Sequence, residues 1–200
     1  MLNNSITRRN VLFGASALTF VSALPAVALT EAGATKLINS VIGQINSVIA
    51  SGQSEAAMIK QFENIFVRYS DVPTIARYTL GVAARSASAS QLRSFTDAFT
   101  GYISRKYGKR FREFMGGRLE VQQTKAVKSF YEVKTLAYLP GSAPFDVTFL
   151  VSDKSGKDLF FNMFIEGVNL LLTEREEIGA MLDRRGGSID SLIADLQRAG

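Results

Sequence analysis

The chain has 200 residues, 46% of them hydrophobic and 20% charged, a net charge of +5, and neither Cys nor His. Without Cys there is no disulfide, zinc–thiolate site or thiol nucleophile, and without His both Ser-His-Asp hydrolysis and imidazole metal ligation are excluded. Residues 1–28 hold Arg8, Arg9 and no acid, which leaves +3 for the rest, far below a nucleic-acid footprint.

The N-terminus reads Thr7-Arg8-Arg9-Asn10-Val11-Leu12-Phe13, followed by an apolar run to Leu24 and then Pro25-Ala26-Val27-Ala28. A charged region, an apolar region and a small-x-small site in that order predict a signal peptide cleaved near Ala28. The paired arginines and moderate hydrophobicity, with Gly14, Ser16, Thr19 and Ser22 inside the run, predict the twin-arginine type. Residues 1–28 are therefore expected to be an export signal and residues 29–200 one periplasmic domain.

Beyond it, Ile38, Val41, Ile42, Ile45, Val48 and Ile49 recur at helical spacing and stop at Ser51-Gly52. Ile59, Phe62, Phe66 and Tyr69 form a second helical stripe. Asp71 before Val72-Pro73 starts a third helix, which ends at Gly81. Ser88 or Ser90 caps a fourth, with Leu92, Phe95, Phe99, Tyr102 and Ile103 on its buried side. Gly116-Gly117 marks a change of period. Strands are predicted over 119–127, 130–139 and 145–151, and a return strand follows the turn Asp153-Lys154-Ser155-Gly156. On the return strand strict alternation places Leu159, Phe161, Met163 and Ile165 on one face and Phe160, Asn162, Phe164 and Glu166 on the other. Two helices, 173–185 and 188–199, are divided by Gly186-Gly187. The expected fold is α+β: a mostly antiparallel four-stranded sheet packed against several helices and enclosing an apolar cavity.

Four segments in order then carry a resemblance: Ile75-Ala76-Arg77-Tyr78-Thr79-Leu80-Gly81 with Arg85 and Gln91-Leu92-Arg93-Ser94-Phe95; Tyr102 through Tyr107 to Arg110-Phe111 and Phe114; Ile165-Glu166-Gly167-Val168-Asn169-Leu170 with Arg175; and Gly187-Ser188-Ile189-Asp190-Ser191-Leu192-Ile193. Together they resemble the MlaC, or toluene-tolerance, family over about residues 34–198. The chain departs from the family pattern in having no Trp, in Asn162 where Asp is usual, and in Asn169 where Ser is usual. The resemblance implies a periplasmic phospholipid shuttle. Its partners would be an inner-membrane ABC-transporter lipid complex and an outer-membrane lipoprotein complex. It would have no catalytic residues, and no cofactor beyond a bound phospholipid as cargo. A monomer is expected.

Alternation and resemblance together nominate lipid-lining residues: Phe145, Val147, Phe149, Phe161, Met163 and Ile165 from the sheet, with Phe95 and Phe99 from the helices. Each is also an ordinary core residue by type. The basic stretch from Arg105 to Arg112 reads either as a contact for phosphate, an anionic membrane or an acidic partner, or as a solvated helix face. Arg77, Arg85 and Arg175 read as partners for Asp or Glu. An alternative is a small isomerase or hydrolase with a cone-shaped α+β pocket, using Glu166 or Asp146 as a general base.

Overall fold

The computed structural model describes residues 28–200, so the expected export signal lies almost wholly outside the described residues. Six α-helices follow in chain order: α1 (Glu31–Ala50), α2 (Glu55–Tyr69), α3 (Val72–Leu80), α4 (Ala89–Gly108), α5 (Leu170–Arg184) and α6 (Ile189–Leu196). Five strands lie between α4 and α5: β1 (Arg118–Val127), β2 (Phe130–Tyr138), β3 (Phe145–Ser152), β4 (Leu159–Ile165) and β5 (Val168–Asn169). Short 3-10 segments, Gly81–Arg85 and Lys109–Phe114, follow α3 and α4. Among the described residues no helix is long and apolar enough to cross a membrane.

Each helix starts where a short polar side chain takes up an otherwise unpaired backbone N–H. The caps are Thr30, Ser54, Asp71, Ser88, Asn169 and Ser188, each worth about 1 kcal/mol. Ser88, not Ser90, caps α4, and the Gln91 side chain returns the bond to the Ser88 N–H, closing a capping box. Helix α5 begins three residues earlier than the apolar pattern indicates because Asn169 caps it, accepting from the Leu172 N–H at 3.1 Å.

The sheet is an antiparallel meander in the order β1-β2-β3-β4-β5. It has one strand more than expected. The fifth is only two residues long and exists because Glu166 and Gly167, with φ of 49° and 78°, make a two-residue turn that folds Val168 back onto Ile165. On the helix-facing side, rungs cross the sheet as Val133–Phe149–Met163 and Thr135–Val147–Ile165, with Ala137 beside Phe145.

A bulge corrects one expected face. The register between β3 and β4 shifts at Leu150/Val151, so that Leu150 opposes Asn162 while Val151 opposes Phe160. The extra residue is Phe161. Past it the alternation reverses. Phe160 joins Met163 and Ile165 on the inner face, where its ring meets Phe149 edge-on at 5.8 Å. Phe161 turns to the outer face and meets Phe130 at 5.7 Å.

The core divides into two clusters. One is helical, built from α3, α4, α5 and α6 around the fully buried Phe95, Phe99, Ile178, Leu192 and Leu196. The other joins α1 and part of α2 to the inner sheet face, around Ile38, Val41, Met58, Val133, Phe149 and Val151. Phe62 from α2 and Phe160 from β4 pack against both.

Candidate functional site

The inner face of the sheet, beside the seam where Phe62 and Phe160 join the two clusters, is the candidate site. Its sheet wall is apolar, as the alternation of β3 and β4 requires. Val147 and Phe149 at its centre are buried, while Phe145, Met163 and Ile165, with Leu119 and Val121 from β1 and Ile45 from α1, are only half-buried. Protein interiors are normally filled to crystal-like density. A wall of half-buried apolar side chains facing helices is therefore a surface that a further apolar occupant would complete. Thr135, the buried polar residue of this wall, donates its hydroxyl to the Val147 carbonyl at 2.8 Å and presents no unpaired group.

Of the eight nominated lining residues, the structure brings Phe145, Val147, Phe149, Met163 and Ile165 together on one face. Phe161 does not join them, for the bulge aims it to the other side. Phe160 takes its place, a substitution that strict alternation conceals. Phe95 and Phe99 stack on one another at 5.9 Å deep in the helical cluster, with Tyr102 next in line. They are core of α4 and do not meet the sheet residues. Sequence reasoning also passed over Phe62, whose place in both clusters comes only from the approach of α2 to the sheet. Two surface depressions lie elsewhere, on the outer face of α1 (Glu31, Thr35, Lys36) and between α4 and α6 (Ser94, Asp97, Arg105). Neither contains a nominated residue.

The charged groups are engaged differently from the sequence expectation. Most of the basic stretch is used internally. Arg105 donates to the Leu196 and Ala199 carbonyls at the end of α6, Lys109 to the Gly200 carbonyl, and Arg110 pairs with Glu113. Lys106 bridges Glu174 at 2.7 Å and Glu177 on α5. Tyr107 donates to the same Glu174 oxygen at 2.6 Å, and Tyr102 donates to Glu177. Burial, and then hydrogen bonding to the carboxylates, pushes both phenols well above their ordinary range. Burial pushes the Glu177 carboxyl up, but the hydrogen bonds from Lys106 and Tyr102 outweigh it and hold the carboxyl below the usual range. This cluster fastens α4 to α5. Arg175 has no ion pair among the described residues: it lies over the Tyr78 ring at 4.8 Å and donates to the Tyr78 carbonyl. Arg77 and Arg85 are exposed and have no ion pair among the described residues. The expectation of Asp or Glu partners for these three is therefore corrected.

Glu166 is exposed and accepts from the Asp146 N–H at 2.6 Å, while its own N–H donates to the Asp146 carbonyl. Its carboxylate thus clasps the start of β3 to the end of β4. Among the described residues no group of three or more acidic side chains could hold a metal ion. Asn162 and Asn169, both departures from the family pattern, are hydrogen-bonded to one another at 3.0 Å, and Asn162 also accepts from the Leu171 N–H. The two changes therefore occupy one contact between β4 and the start of α5.

Comparison with known proteins agrees with this architecture. The family model described as "MlaC protein" matches residues 35–198. Among solved structures, a phospholipid-binding protein from Ralstonia solanacearum, determined in complex with a phospholipid, superposes with a TM-score of 0.71 at 15% sequence identity, covering 82% of this chain and 95% of that one. At that identity the likeness establishes the shared fold. The family match spans nearly the whole described domain, and on that ground the chain belongs to the MlaC family, a family of lipid-binding transport proteins and not of enzymes.

Proposed function

We propose that this protein is a periplasmic phospholipid carrier, exported by the signal in residues 1–28, whose cargo tails lie in the seam between the sheet and the helical cluster. The observation that carries the reading is the half-buried apolar wall of Phe145, Met163 and Ile165, set with Phe160 around Val147 and Phe149 on the inner sheet face, in the cluster against which Phe62 of α2 also packs. A two-tailed phospholipid has about 30 methylenes. At roughly 0.8 kcal/mol each, their exposure to water costs on the order of 20 kcal/mol. Crossing an aqueous compartment therefore needs a protein surface that stands in for the bilayer interior while the charged head remains in water. The phospholipid bound by the R. solanacearum protein of the same fold supports this choice of cargo. Family membership supports a shuttle between an inner-membrane ABC-transporter lipid complex and an outer-membrane lipoprotein complex.

The test is a charge placed on the wall. Phe149→Asp or Met163→Asp is expected to abolish co-purified phospholipid while circular dichroism still reports the α+β fold. Met163 is the cleaner position because it is only half-buried. Undiminished phospholipid in a folded Met163→Asp protein would contradict the seam as the cargo site.

A further inference from the structure

The segment from Val72 to Thr96 contains Arg77, Arg85 and Arg93 and no acidic residue. Arg77 and Arg85 lie on the exposed side of α3 and the 3-10 turn after it, on either side of two apolar side chains that also face solvent. These are Tyr78, 41% exposed, and Val82, 70% exposed. Arg77 and Tyr78 at the end of α3 and Val82 and Arg85 on the 3-10 turn after Gly81 are all exposed, while Ile75, Ala76, Thr79, Leu80 and Ala84 beside them are buried.

Helix α5 extends this surface. Arg175 lies over the Tyr78 ring, hydrogen-bonds the Tyr78 carbonyl and fills the space beside Gly81. One turn earlier on the same side of α5 is Leu172, 42% exposed, and Val168 precedes the helix with its side chain in solvent. Of the six large apolar side chains exposed among the described residues, four are Tyr78, Val82, Val168 and Leu172. Exposed apolar area is therefore concentrated at this corner. Arg175 is flanked by Glu174, which is buried and paired with Lys106 on α4, and by the exposed Glu176; Arg77, Arg85 and Arg175 against Glu176 leave the corner a net positive charge.

We propose that the surface formed by Arg77, Tyr78, Val82, Arg85, Leu172 and Arg175 docks on an anionic phospholipid bilayer. Its chemistry fits that partner. An aromatic ring with a polar tip suits the headgroup level, aliphatic tips suit the boundary with the acyl chains, and long cationic side chains reach lipid phosphates. Arg77 and Arg85 are free of ion pairs within the described residues, so contact with phosphate breaks no existing bridge. A protein partner would more often meet a continuous apolar centre with a polar rim. Here single apolar tips alternate with cations, a pattern that a bilayer interface satisfies at every position. The inference concerns where the molecule meets a membrane, and it holds whether or not a lipid fills the seam.

The sequence supplies a clean test because it contains no Trp. Val82→Trp places a single reporter at the centre of the corner, and Gln123→Trp places one on the exposed edge of β1 as a control. Both are made in the full chain. Vesicles of phosphatidylcholine with phosphatidylglycerol are expected to shift the emission of the Val82→Trp protein to shorter wavelength, and that of the Gln123→Trp protein not at all. Pure phosphatidylcholine vesicles are expected to have little effect. Adding Arg77→Gln and Arg85→Gln to the Val82→Trp chain is expected to weaken partitioning roughly 30-fold, at about 1 kcal/mol for each arginine. Phospholipid co-purified with that triple variant should be unchanged, which separates loss of docking from loss of cargo. An unshifted Val82→Trp emission in a folded protein would overturn the proposal, as would an equal shift with neutral vesicles. An equal shift produced by soluble polyglutamate would overturn it in favour of an acidic protein partner.

Discussion

At the scale of single residues, the charged cluster between α4 and α5 shows how neighbours decide what a buried ion is worth. The Glu174 side chain is only 5% exposed, and one of its oxygens has no partner among the described residues. The other oxygen receives both Lys106 and Tyr107. Removing the lysine leaves the carboxylate buried and uncompensated, so Lys106→Met is expected to lower unfolding free energy by about 3 kcal/mol in urea titration, with Glu174→Gln restoring part of it. The difference between wild type and Lys106→Met also has a pH signature. Glu177 has a lowered value in the fold, so its contribution is full above the ordinary carboxylate range and fades as pH falls through that lowered value. Tyr102 and Tyr107 owe their raised values to burial and to the two carboxylates, not to Lys106, so their contribution, full below the ordinary phenol range and fading as pH rises beyond it, belongs to the wild-type protein and is not what the lysine substitution removes. A difference that stays constant through acid pH would contradict the cluster's role. None of this was legible in the sequence. Arg105 to Arg112 reads as a run of surface charge, and only the packing of α5 onto α4 shows which of its cations face carboxylates.

At the scale of elements, the sequence was most readable where one period governs a whole segment. The stripes of α1 to α4, the alternation of β3, and the turns at Gly81, Gly116-Gly117 and Gly186-Gly187 each follow from local chemistry. Alternation fails on β4 because a bulge is a property of two strands together. Nothing in Leu159-Phe160-Phe161-Asn162 announces that Val151 will pair with Phe160. Two adjacent phenylalanines have exchanged faces as a result, and their substitution should tell them apart. Phe160→Ala, which removes a ring packed against both clusters, is expected to cost about 3 kcal/mol and to reduce co-purified phospholipid. Phe161→Ala, which removes a half-buried outer ring, is expected to cost about 1 kcal/mol and leave the phospholipid unchanged. The reverse order in urea titration and lipid assay would mean that the inner face is the one strict alternation gives. The early start of α5 has a similar origin. The apolar pattern does not mark Asn169 as a helix start, yet its side chain caps α5 and holds Asn162.

At the scale of the molecule, the division of the core into a helical and a sheet cluster organises everything else. Local pattern predicts an apolar face on the sheet and an apolar stripe on each helix, but not which faces close on one another. Phe95 and Phe99 show the consequence. They have the right chemistry for a lipid wall and lie instead inside the helical cluster, which α5 and α6 complete from the far end of the chain. Phe145, Met163 and Ile165 have the same chemistry and remain half-buried at the border of the sheet cluster. Family membership supports a lipid-carrying role, and the seam is the place proposed for it. The most direct measurement is mass spectrometry of an organic extract from the purified, folded protein. Phospholipid in stoichiometric amount is the expected result; a folded protein that yields none, or yields a small polar ligand in its place, would contradict phospholipid carriage.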